Sequence, residues 1–168
     1  MSSTAYLFAL GTISTTFVGF SALILVFRQT AGGGLSKLDS WTAMIFVQLG
    51  FIVTAGSLAP PLMALCGVAE PLTWRAASLM AGLMMGGFAV SYPARRRAVS
   101  GVPTPLYVWI DLTLLAASTL LLLANAAGWP APPNAGAFCL GLTGVLFVAG
   151  LGFLHALGAL HREAGQPR

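Results

Sequence analysis

Charge is what this chain has least of. Eight Lys or Arg and four Asp or Glu make up only 7% of 168 residues. A soluble domain carries about 25%. With so few solvated groups, the chain cannot cover a water-facing surface. Cysteine is nearly absent too. Cys66 and Cys139 stand alone, with no Cys-x-x-Cys pair, which removes support for thiol oxidoreductase chemistry. The two histidines, His155 and His161, are six apart on different helical faces, so no metal site is expected. Gly32-Gly33-Gly34 follows no strand and lacks the Lys and Ser/Thr of a phosphate loop. Met1–Ala5 has no basic residue, so the first apolar run is expected to be an uncleaved span rather than a signal peptide.

What remains is apolar, 57% of the chain. Residues 6–27, 42–65, 76–92, 106–127 and 137–160 each contain at most one formal charge. A helix crosses the hydrocarbon core in about 20 residues, with a lower limit near 17. The expectation is an all-α bundle of five transmembrane helices forming one domain over residues 1–168. The spans are placed at 6–28, 41–65, 72–92, 105–127 and 137–160.

The basic residues orient it. With the N-terminus outside, the inner segments hold Arg28, Lys37, Arg95, Arg96, Arg97, Arg162 and Arg168, against Arg75 alone outside. That seven-to-one asymmetry predicts an outer N-terminus and a cytoplasmic C-terminus. The basic balance is thus a topology signal, not a nucleic-acid footprint. The Arg95-Arg96-Arg97 run is the main anchor. It can also attract anionic headgroups, each basic residue contributing about 1 kcal/mol.

Local signals set the boundaries. Asp39 or Ser40 is a plausible N-cap for the second span, and Trp41 suits an aromatic belt. Pro60-Pro61 predicts a kink or break in that span. Pro71 suits the first turn of the third span, which is expected to end at Tyr92-Pro93. Pro103 or Pro105 opens the fourth, and Gly128-Trp129-Pro130 closes it.

Small residues fall in helical rows: Thr12, Thr15, Gly19 and Ala22; Ser78, Gly82, Gly86 and Ala89; Gly141, Gly144 and Gly152. Small side chains let helix backbones approach closely in lipid. Gly19, Gly82, Gly86 and Gly144 are the expected packing positions. The third-span row fits either packing within the bundle or a homodimer seam.

Asp111 stands out among the polar residues. It lies six positions beyond Pro105, about 9 Å into the fourth span. An unpaired carboxylate there costs roughly 2.5–3.5 kcal/mol on insertion scales. Tyr107, Asp111, Ser118 and Asn125 share one helical face, which should point inward. His155 and Gln48 are expected at similar depth, and Arg28 closes the first span on the same side. An intramembrane cluster of Asp111, His155, Gln48 and Arg28 follows. It reads either as a buried clamp fixing helix order or as a proton or ion site. Cys66 and Cys139 both map to outer span ends, where they could form a disulfide or remain two small buried thiols.

In length and span count the chain resembles the translocator-protein family of five-helix membrane proteins. That family's Trp- and Pro-rich motifs are absent. Its first loop is here Gly32-Gly33-Gly34-Leu35-Ser36-Lys37-Leu38-Asp39, so no ligand or site is carried over. High Ala, Gly and Leu with Arg favoured over Lys points to a bacterial, GC-rich source and a multi-pass inner-membrane location. The expected function is a non-enzymatic accessory, interaction or sensor subunit acting through helix packing. The alternative is a small channel or proton-coupled transporter using Asp111. No cofactor is expected. Membrane lipids, a homo-oligomer or other membrane subunits are the expected partners.

Overall fold

The computed structural model describes residues 3–30, 37–101 and 103–164, apart from some side chains within the first, second and fifth helices. Among them all regular structure is helical: α1 Ser3–Thr30, α2 Lys37–Leu65, α3 Glu70–Ser100, α4 Leu106–Ala127 and α5 Ala135–Ala164. All five are long and apolar enough to cross a membrane. Exposed Phe51, Leu83, Val90, Leu120 and Phe147 lie on outward faces, where lipid rather than water suits them.

Two boundaries differ from the sequence expectation, and the break expected within α2 is absent. α2 starts at Lys37, so Asp39 and Ser40 sit inside the first turn rather than capping it. It also runs unbroken through Pro60 and Pro61 to Leu65. The prolines cannot bond the Gly56 and Ser57 carbonyls. The local packing holds the helix nonetheless: Pro60 is buried, and a Cβ on Gly56 would stand 3.1 Å from Leu142 of α5. α3 continues past Tyr92-Pro93 to Ser100, carrying the three arginines on a helix. Gly101 stops it instead, with φ 66° and its N–H on the Arg97 carbonyl at 2.9 Å. Its 31 residues span about 46 Å, more than the roughly 30 Å hydrocarbon thickness. The arginine turn therefore extends beyond the apolar layer. Pro71 does occupy the first turn of α3.

Among the described residues α1 packs on α2, α2 on α3, α3 on α4 and α4 on α5, while α5 also touches α1, α2 and α3. Among the described residues α1 and α4 do not meet. Leu7, Val53, Ala77, Met85, Leu115, Leu122, Phe138, Leu142 and Val145 form the centre. Towards the end where α4 begins, Phe17, Phe46 and Phe153 join α1, α2 and α5 edge to face, with centroids 5.3–6.0 Å apart.

Glycine and hydroxyl contacts bring the helices together. A Cβ on Gly82 would stand 2.7 Å from Leu123, and one on Gly141 2.7 Å from Leu122. One on Gly144 would collide with Ser118 Oγ, and one on Gly50 with Val18. Gly86 meets Thr119 at an ordinary 3.5 Å. Gly19 differs from expectation. A Cβ on it would meet nothing within 4 Å, and like Thr12, Thr15 and Ala22 on the same row it is exposed, although the Thr15 hydroxyl lies 3.4 Å from that of Thr54. Ser14 Oγ donates to the Gly50 carbonyl at 2.8 Å, and the Tyr6 and Thr143 hydroxyls bond at 2.7 Å.

Candidate functional site

Asp111 enters the bundle because α4 begins at Pro105, whose extended backbone launches the helix with Leu106 as its first residue. Five residues on, the carboxyl turns toward α5. Gly152 leaves room for it: a Cβ there would lie 3.8 Å from Asp111 Oδ2 and 3.3 Å from Phe46. One turn along α5, His155 Nδ1 lies 3.3 Å from the same oxygen. Asp111 is 13% exposed and His155 42%, so one partner is inside and the other on the rim. Asp111 Oδ1 is buried, and among the described residues it has no hydrogen-bond partner. The Tyr107 ring stacks obliquely on the imidazole, centroids 5.1 Å apart.

A second layer comes from α3. Arg96 is only 7% exposed, although its neighbours Arg95 and Arg97 are exposed. Its Nη1 donates to the Pro103 carbonyl at 3.2 Å, and its charge lies within electrostatic reach of the Tyr92 hydroxyl. Tyr92 lies within electrostatic reach of Tyr107 and Asp111 and packs on Trp41 of α2 at 5.2 Å. Arg95 folds back on Ser91 and sits 5.7 Å from the Phe88 ring centre. The three-arginine run thus divides: Arg96 ties the α3–α4 connection to the bundle, while the other two face outward.

Of the four residues expected in the cluster, the structure brings Asp111 and His155 together. Gln48 is exposed, and among the described residues no hydrogen bond joins it to Asp111. Equal depth does not give equal azimuth. The Arg28 side chain lies outside the described residues. Sequence reasoning missed Tyr92 and Arg96. Their signal was present in the four-residue step from a belt tyrosine to an arginine, but Pro93 between them read as a helix end.

The opposite end carries a polar clamp. Asn125 is 3% exposed and donates to Ser78 Oγ at 2.8 Å and the Asn134 carbonyl at 3.1 Å, while its Oδ1 accepts the Asn134 N–H at 3.0 Å. Asn134 in turn caps α5, accepting the Ala137 N–H at 2.9 Å. Arg75 Nε donates to the Ala126 carbonyl at 3.1 Å, satisfying a terminal acceptor of α4. Asp111, Ser118 and Asn125, seven residues apart, therefore all point at α5 or its entry. Cys66 is exposed after α2 and Cys139 half-buried in α5, and both are free thiols.

Chemically, the Asp111–His155 pair can hold a proton and exchange it through the exposed imidazole edge. Among the described residues no group of three His, Cys, Asp or Glu could hold a metal ion. No protein-family model, curated protein or solved structure matches the chain.

Proposed function

We propose that this protein is a non-enzymatic accessory or sensor subunit of a bacterial inner membrane, in which Asp111 and His155 form a protonation-dependent latch between α4 and α5. The 3.3 Å contact between His155 Nδ1 and Asp111 Oδ2 carries the reading. Protonated, the imidazole makes an ion pair with the carboxylate. Deprotonated, it keeps at most one hydrogen bond. A two-state change at one helix pair is enough to alter how a bundle presents its surface to a partner. Spin labels at exposed Leu114 and Leu154 test it by their separation between about pH 5 and pH 8. The latch predicts a pH-dependent distance distribution that Asp111→Asn makes pH-independent. An unchanging wild-type distribution sinks it.

Asp111 Oδ1, buried and without a hydrogen-bond partner among the described residues, favours a second reading, proton-coupled transport. That reading requires pH-driven flux in proteoliposomes, abolished by Asp111→Asn with the fold intact. The latch requires none.

An outer N-terminus and cytoplasmic C-terminus belong to the same proposal, supported by the seven-to-one basic asymmetry. Single cysteines in the 31–34 and 131–135 loops should label only from the cytoplasm and only from the outside, respectively. Outside labelling of the first loop would reverse the orientation.

A further inference from the structure

α5 is flanked by α1 on one side and α4 on the other, and these two do not touch among the described residues. The outward face of α5 is therefore the floor of a lateral recess. Phe147, Gly150, Leu151, Phe153 and Leu154 line it, with a volume of about 350 Å³. A Cβ on Gly150 would meet nothing within 4 Å, so the floor is open there. The next residue along is His155, 42% exposed, with exposed Tyr107 beside it.

We infer that this recess binds a single-chain lipid acid, with its tail along α5 from Leu154 to Phe147 and its carboxylate on the His155 imidazolium. Four observations converge on that occupant. The floor offers only apolar side chains, so it suits a hydrocarbon chain. It is one helix face wide, which fits one chain rather than two. Phe147 to His155 is eight residues, about 12 Å, close to the roughly 15 Å of one leaflet's hydrocarbon. The polar end lies towards the membrane surface where α4 begins, and the apolar end toward the midplane, the orientation of an amphiphile in its own leaflet. Among the described residues His155 is the group at that end able to become cationic at the recess mouth. Arg96 is turned to Pro103. Asp111 holds Nδ1, so in the protonated imidazole it is Nε2 that is left to donate to a carboxylate. The inference rests on the latch reading for the state of His155 and extends it: the ligand would hold the pair protonated.

The test uses the full-length protein in neutral phosphatidylcholine nanodiscs, with spin-labelled stearic acid and its methyl ester as probes. Motional broadening measures the bound fraction. The acid should be immobilised by the wild type, and the ester about tenfold more weakly, for lack of the charge-assisted contact. Gly150→Phe adds a ring to the floor, where a Cβ meets nothing within 4 Å, and should abolish immobilisation of the acid while leaving the pH-dependent α4–α5 distance. His155→Gln should weaken acid binding to the level of the ester. Equal binding by wild type and Gly150→Phe overturns the recess, and equal binding of acid and ester overturns the head contact. Displacement of the acid by two-chain phosphatidylglycerol at equal concentration overturns the single-chain occupant. Acid binding that depends on Gly150 in a protein with no pH-dependent distance would discard the latch and keep the site.

Discussion

Asn125→Leu is expected to destabilise the bundle by about 2–4 kcal/mol. Asn125 spends both amide hydrogens and its carbonyl on Ser78 and the Asn134 peptide, and it is 3% exposed. Leucine returns nothing to any of them. Interhelical hydrogen bonds in membranes average only about 0.6 kcal/mol by double-mutant cycles. Three such bonds would come to less than the upper figure. The remainder arises because Ser78, fully buried on α3, is left without that partner in a dry environment. The Asn134 peptide lies before α5 next to exposed loop residues, where water can replace part of the loss, which caps the estimate. Asn134→Ala separates the two roles. It removes the α5 cap, worth about 1 kcal/mol, but leaves the backbone groups that Asn125 uses. Unfolding in mixed micelles should rank wild type above Asn134→Ala above Asn125→Leu. Equal stability of Asn125→Leu and wild type would remove the clamp from the account.

Gly50→Ala should cost about 1–3 kcal/mol, a large effect for one methyl group. The added Cβ collides with the Val18 methyl on α1. Valine is stiff about χ1 in a helix, so it cannot swing aside. α1 must then shift and stretch the Ser14–Gly50 hydrogen bond, now 2.8 Å and buried. Val18→Ala in the same chain removes the obstacle and should recover most of the loss. The double-mutant cycle therefore carries a coupling of the order of 1–2 kcal/mol. Additive effects of the two changes would show that α1 and α2 do not close at this point. Gly19→Ala, by contrast, faces open space and should be nearly silent.

Gly19 and Gly50 show what hydropathy and spacing can reveal. The five apolar runs disclose five helices because bilayer thickness sets a length that composition must match. They do not disclose azimuth. Gly19 sits in a neat row of small residues, yet that row faces out, while the close approach of α1 and α2 falls on Gly50, which lies in no such row. Gln48 failed for the same reason. The depth of His155 and Asp111 could be read from rise per residue, but their common azimuth depended on the packing of α5 on α4. The end of α3 was misjudged because hydropathy marks where the apolar layer stops, not where the helix does. Arginine is a good helix former, so the chain continues through Arg95–Arg97 until Gly101. A Gly two residues ahead of Pro103 was a legible stop signal.

The central claim, that Asp111 sets the state of the His155 imidazole, is open to one direct measurement. The chain has two histidines, so ¹⁵N-histidine labelling gives a spectrum that His161→Gln can assign. The account predicts that His155 carries a proton on Nδ1 toward Asp111, and that Asp111→Leu shifts both ring nitrogens. Ring-nitrogen shifts for His155 that are the same in wild type and Asp111→Leu would contradict it.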